Sequence, residues 1–204
     1  MTARLAGVVA GPLFVGIALA QMLTRPGFDP LRHPVSLLAN GAGGWVQVAN
    51  FIVTGLLVLA FAVAVRRQLA AGAARAWAPI LLATCGMGLV VGGLFRADPA
   101  LGFPIGTPDE VPATMSVPGA IHAVAPPLAF TALVAAIAVL AARMWRNGQR
   151  TTAVFSWVVA VVTFALSLPV WPSVVTIFVA IIVGFGWLTA YAVELSRSAP
   201  AQPA

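Results

Sequence analysis

WVQVANFIVTGLLVLAFAVAVRR, residues 45–67, decides the fold class. From Trp45 to Val65 it is apolar apart from Gln47, Asn50 and Thr54, and it stops at Arg66-Arg67. A helix needs about 20 mostly apolar residues to cross hydrocarbon. Five more runs read the same way: Leu5–Thr24, Ala76–Phe95, Gly119–Ala142, Thr151–Leu168 and Val174–Leu195. The shortest, Thr151–Leu168, still reaches about 27 Å as a helix. The expected fold is all-α, a polytopic membrane bundle of six transmembrane helices. One domain covers residues 1–195, and residues 196–204 form a Pro/Ala-rich tail expected to be disordered.

Composition agrees. The chain is 61% hydrophobic and 8% charged, where soluble domains carry about 25% charged residues. Its net charge of +6 does not point to nucleic acid, because the basic residues fall in short clusters between apolar runs rather than on one face. All eleven basic residues are arginine, which with the high Ala, Gly and Val content suggests a GC-rich bacterial genome. The single cysteine, Cys85, has no intrachain partner, so disulfides play no part.

The arginines also set the expected orientation. Arg4, Arg66, Arg67, Arg75, Arg143, Arg146, Arg150 and Arg197 belong to one side. Arg25, Arg32 and Arg96 fall on the other, with Asp29, Asp98, Asp109 and Glu110. The positive-inside rule puts both termini in the cytoplasm and loops 25–44 and 96–118 outside the cell membrane. A competing feature is Ala18-Leu19-Ala20 at the end of the first run, which resembles a signal-peptidase site. Cleavage there would leave five helices with the same later topology.

Outward from Trp45, the segment Asp29–Asn50 is the densest polar stretch of the chain, with Arg32, His33, Ser36, Asn40, Gln47 and Asn50. Pro34 can open a short interfacial helix and Asn40-Gly41 can close it. Gln47, Asn50 and Thr54 are spaced by three and four, so they share one helical face, where interhelical hydrogen bonding is the common use of such groups. Gly88 and Gly92 form a GxxxG pair with Gly86 and Gly93 nearby, and Ala180 and Gly184 form a similar one. Such pairs bring helices close, either within the chain or in a helix-mediated oligomer or with a membrane partner.

The second outer loop carries five prolines between Pro99 and Pro118, which rule out a regular helix. Loops of this length are often lids or disordered. Ser116 is the expected N-cap of the fourth helix. His122 lies one turn further on, and Pro126 and Pro127 remove the N–H groups its carbonyl and that of Ala123 would have used. Pro169-Val170-Trp171-Pro172 is the expected corner between the last two helices, and Trp187 and Tyr191 read as interfacial belt residues.

RHPVSLLANGAGGWVQVANF at 32–51, with FRADP at 95–99 and the GxxH of Gly119–His122, resembles a bacterial and archaeal membrane family known only as domain of unknown function 998. The resemblance implies a six-helix membrane protein and supplies no established activity.

Three distant segments thus place Arg32, His33, Ser36, Arg96, Asp98 and His122 at the outward ends of helices. Ionisable groups at membrane depth usually face an interior or a cavity. Four readings follow. The first is a site for a lipid headgroup or small amphiphile, drawing on Arg32, His33, Asn40, Gln47, Asn50, Arg96, Asp98 and His122, with Arg32 and Arg96 holding phosphate or carboxylate oxygens. The second is an intramembrane hydrolase whose catalytic candidates are His33, Ser36, Asp98 and His122. Ser36 would be its nucleophile beside a histidine base oriented by Asp98, or His33, His122 and Asp98 would bind zinc with one open position. The third is a small-solute transporter, and the fourth a structural or accessory subunit whose polar groups lock helix ends. No recognised catalytic motif selects among them, and beyond the zinc of the second reading the sequence leaves any cofactor undetermined.

Overall fold

The computed structural model describes residues 3–168 and 173–197. Six α-helices fill it: α1 Ala3–Thr24, α2 Gly44–Gln68, α3 Ala73–Leu94, α4 Val117–Arg146, α5 Arg150–Leu166 and α6 Val174–Arg197. Most extend beyond the expected apolar runs, because arginines at their ends, such as Arg66, Arg146 and Arg197, continue the helix after the hydrophobic residues stop. All but α5 are long and apolar enough to cross a membrane. At 17 residues, α5 reaches about 25 Å. The chain is an all-α, multi-pass membrane protein.

Each helix packs on its neighbour in sequence, and α6 returns to α1, so the six close into a ring. The short links 69–72 and 147–149 make α2 antiparallel to α3 and α4 antiparallel to α5, and Gln68 Nε2 donates to Leu195 O, which brings the end of α6 beside the end of α2. Between α4 and α5 the turn is a Schellman motif: Gly148 has φ +81°, its N–H bonds Trp145 O, and Gln149 N–H bonds Met144 O. All arginine clusters of the sequence therefore gather at one end of the ring. The long connections 25–43 and 95–116 gather at the other, called here the loop end.

Small residues set the helix spacing. A Cβ on Gly86 would meet Gly55 O at 2.7 Å, and one on Gly93 would meet Phe51 and Ile52, so both face α2. Gly88 faces α4, where a Cβ would meet Ala125 O and Ala129 Cβ at 2.8 Å, and Gly92 lies against Pro126. The GxxxG pair therefore serves an internal neighbour. Gly184 likewise faces Leu133 and Thr163.

The main core is aromatic at its centre. Phe14 packs edge-on to Phe51 at 5.3 Å and stacks on Phe185 at 5.5 Å. Residues 18–20 lie within α1, and Ala18 is fully buried, so α1 is an integral wall of the ring. The amides of α2 turn toward α1 as their spacing predicts. Gln21 Nε2 donates to Gln47 Oε1 at 2.7 Å, and Asn50 Nδ2 donates to Gln47 Oε1 and to Phe14 O. Thr54 follows on Asn50 Oδ1.

Trp187 and Tyr191 correct the belt expectation. Their rings stack at 5.2 Å inside the ring, and Trp187 Nε1 donates to Ser156 Oγ on α5. They face inward because the side of α6 that carries them packs on α1 and α5. The corner 169–172 and the tail from 198 lie outside the described residues; Ser196 and Arg197, expected in the tail, belong to α6.

Candidate functional site

At the loop end the two long connections fold onto each other. The first contains a 3-10 helix, Val35–Ala39, opened by Pro34 and closed by Asn40, as its sequence predicts. The second is ordered by its own backbone: Leu101 N–H bonds Glu110 O, and Gly102 N–H bonds Pro108 O, both at 3.0 Å. Met22, Phe28, Leu37, Leu38, Ala100 and Phe103 form a small core between them. Together they cap the ring.

Most polar side chains singled out in the sequence stitch this cap. His33, 4% exposed, lies between the Phe28 and Phe103 rings. Its Nδ1 accepts from Asp29 N–H at 2.9 Å, which makes Nε2 the protonated nitrogen, and Nε2 donates to Leu101 O at 2.9 Å. Asn40 Nδ2 donates to Ala97 O at 3.0 Å. Arg32 pairs with Asp109 across the two connections, both side chains being exposed. Asp29 Oδ1 accepts from Leu31 N–H.

Arg25 was read in the sequence only as one charge of a topology map, yet it holds the cap from within. Its guanidinium donates to Leu38 O at 3.0 Å and Asn40 O at 2.6 Å and lies over the Phe103 ring. Burial lowers its pKa from the ordinary arginine value, without uncharging it at neutral pH. No sequence pattern marks this role, because its partners are backbone carbonyls.

A second set joins α3 to α4. The Asp98 carboxylate accepts from the Ser116 hydroxyl and from Ser116 N–H, and these bonds hold its pKa below the ordinary carboxylate value, the hydroxyl contributing most. Ser116 Oγ in turn accepts from Gly119 N–H at 3.0 Å, so Ser116 is the N-cap the sequence predicts. Gly119 must be glycine here, since a Cβ would occupy the place of the Asp98 carboxylate. One turn on, His122 Nδ1 lies 2.9 Å from Gly92 O and 2.8 Å from Phe95 O at the end of α3.

These positions separate the expected groupings. Among the described residues no group of three or more His, Cys, Asp or Glu side chains can hold a metal ion. The zinc set of His33, His122 and Asp98 is therefore not assembled: both His33 ring nitrogens are bonded to backbone, and Asp98 is engaged by Ser116. Nor does Asp98 orient a histidine for Ser36, since His122 Nδ1 is held by carbonyls. Arg96 is exposed, does not pair with Asp98, and has no hydrogen-bond or ion-pair partner among the described residues. Gln47 and Asn50 lie in the α1–α2 interface.

Two of the residues share a cavity. Ser36 and His122 both line a cavity of about 280 Å³ beneath the cap, walled by Phe14, Phe51, Phe130 and Phe178 from α1, α2, α4 and α6. On its other side His122 borders a smaller cavity of about 190 Å³, which Asp98 also lines. We call these the chamber and the vestibule; Ala123 is shared by both. His122 is 6% exposed.

No curated protein and no solved structure matches the chain. The model of a family described as a protein of unknown function (DUF998) matches residues 8–194. That span contains every cap and cavity residue described above, and the chain belongs to this family.

Proposed function

We propose that the protein is a six-span protein of the bacterial cytoplasmic membrane that holds a lipid or small amphiphile in the chamber beneath its loop cap. The observation that carries this reading is the chamber itself: a half-enclosed aromatic and aliphatic cavity walled by α1, α2, α4 and α6 beneath the cap, with the buried His122 and the hydroxyl of Ser36 on its wall. Ligand sites are commonly of this kind, mostly apolar with a few convergent polar groups. The site differs from the one expected from arginines, because Arg32 and Arg96 line neither cavity.

Native mass spectrometry of the purified chain tests it. The unmodified protein is expected to retain a small amphiphile, and Ala123→Phe, which grows a ring from the shared wall, is expected to lose most of it. Equal retention by both would remove the chamber from consideration. The stitching of the cap by His33, Asn40 and Arg25 supports a second reading, an accessory subunit whose polar groups serve only structure. On that reading neither protein retains an amphiphile.

The orientation rests on charge. The arginine-rich end, with Arg66, Arg67, Arg143 and Arg146 in last helical turns, would face the cytoplasm. A membrane-impermeant maleimide is expected to label Glu110→Cys in intact cells and Asn147→Cys only after permeabilisation. The native Cys85 is buried and stays unreacted. Labelling of Asn147→Cys in intact cells would reverse the topology.

A further inference from the structure

Chamber and vestibule together present more hydrogen-bond acceptors than side-chain donors: among the described residues the Ser167 hydroxyl on the chamber wall is spent on Thr163 O, which leaves the Ser36 hydroxyl, itself also an acceptor. A carbonyl only accepts, so the two carbonyls at His122 Nδ1 require that nitrogen to carry the proton. In the neutral ring Nε2 is then an acceptor, and it has no hydrogen bond among the described residues. Pro126 and Pro127 supply no N–H, so the carbonyls of His122 and Ala123 lack their helical donors. Both residues line both cavities. Asp98, on the vestibule wall, adds a negative charge, while no arginine lines either space. At the buried His122, acceptors without donors are costly, and the Asp98 carboxylate on the open side of the vestibule repels an approaching anion.

From this we infer that the site takes a single-chain amphiphile whose head donates hydrogen bonds and carries no negative charge, a hydroxyl or an amine. The inference rests on the chamber being a ligand site. The chain would lie among Phe14, Phe51, Phe130 and Phe178, and the head would lie at His122 between chamber and vestibule. Volumes of about 280 and 190 Å³ are small against the roughly 300–1,000 Å³ of common ligand sites, which suits one chain rather than a diacyl lipid. Phosphate and carboxylate heads are disfavoured, because against these acceptors and the Asp98 carboxylate the walls offer them only the Ser36 hydroxyl as an uncommitted side-chain donor among the described residues.

The test uses the purified full chain and photoactivatable dodecyl probes that share one diazirine-bearing chain and differ in the head: alcohol, primary amine, methyl ether or phosphate monoester. Crosslinked peptides are read by mass spectrometry. The alcohol, the amine or both are expected to label chamber peptides at least about tenfold more than the ether and the phosphate, as one hydrogen bond at a buried group allows. Their ranking tells a neutral from a cationic head.

His122→Asn keeps an amide N–H for the Gly92 and Phe95 carbonyls but has no Nε2. It is expected to bring the alcohol down to the ether. Ether labelling equal to alcohol, or a preference for phosphate, would overturn the inference and leave the chamber reading standing. Absence of chamber labelling by every probe would overturn the chamber reading itself. Should His122→Asn not fold, the ranking of heads on the unmodified chain decides alone.

Discussion

His33→Ala is expected to lower the stability of the detergent-solubilised protein by roughly 3 kcal/mol, the scale of removing a buried ring together with its hydrogen bonds. The imidazole fills the space between Phe28 and Phe103, and its two nitrogens join the Asp29 turn to Leu101 on the other connection. Alanine leaves a cavity in the small loop-end core and strips one donor and one acceptor of their partners. Limited proteolysis is expected to cut the 95–116 connection faster in this variant, because that connection is tied to the first through Leu101. Arg32→Ala, by contrast, removes an exposed ion pair and should cost under about 1 kcal/mol. If the two variants melt together, His33 is not the clip the geometry describes. Asn40→Ala, which loses one bond to Ala97 O, is expected to fall between them.

Gly119→Ala is expected to cost about 2 kcal/mol, the upper end of losing an N-cap. The new methyl group would displace the Asp98 carboxylate from Ser116, and the first turn of α4 would lose its tie to the end of α3. The same contact makes stability depend on acid. The folded Asp98 has a lowered pKa, so the folded state holds the proton less well than the unfolded chain does. Its contribution is fully present above the ordinary aspartate value, about 3.9, and is lost as pH falls through the lower folded value. Thermal unfolding of the unmodified protein should therefore weaken in that acidic window. Asp98→Asn and Gly119→Ala should each flatten the dependence. An unchanged acid slope in Asp98→Asn would assign it to another group.

How much of this was legible in the chain depends on the kind of partner each residue has. Gln47, Asn50 and Thr54 were readable, because a polar face in an apolar helix has few places to go, and α1 supplies Gln21 to meet it. Ser116 was readable as a cap from its place before Val117-Pro118. Gly119 looked like part of a family pattern without a cause; its cause is the Asp98 carboxylate, whose position only folding provides. Trp187 and Tyr191 misled, because an aromatic residue near a helix end has the same one-dimensional context whether it faces lipid headgroups or the core.

The sequence by itself determined that this is an all-α membrane protein with six helices, where those helices lie, and which end of the bundle gathers its arginines. Lipid dictates this much, since a spanning helix must be long, apolar and satisfied within its own backbone. Only the tertiary structure decided that His33, Asn40, Arg25 and His122 bond to main-chain carbonyls rather than to one another, and that a chamber remains under the cap with His122 on its wall. The physical reason is that every residue carries a carbonyl, so an acceptor of this kind leaves no trace in the order of side chains.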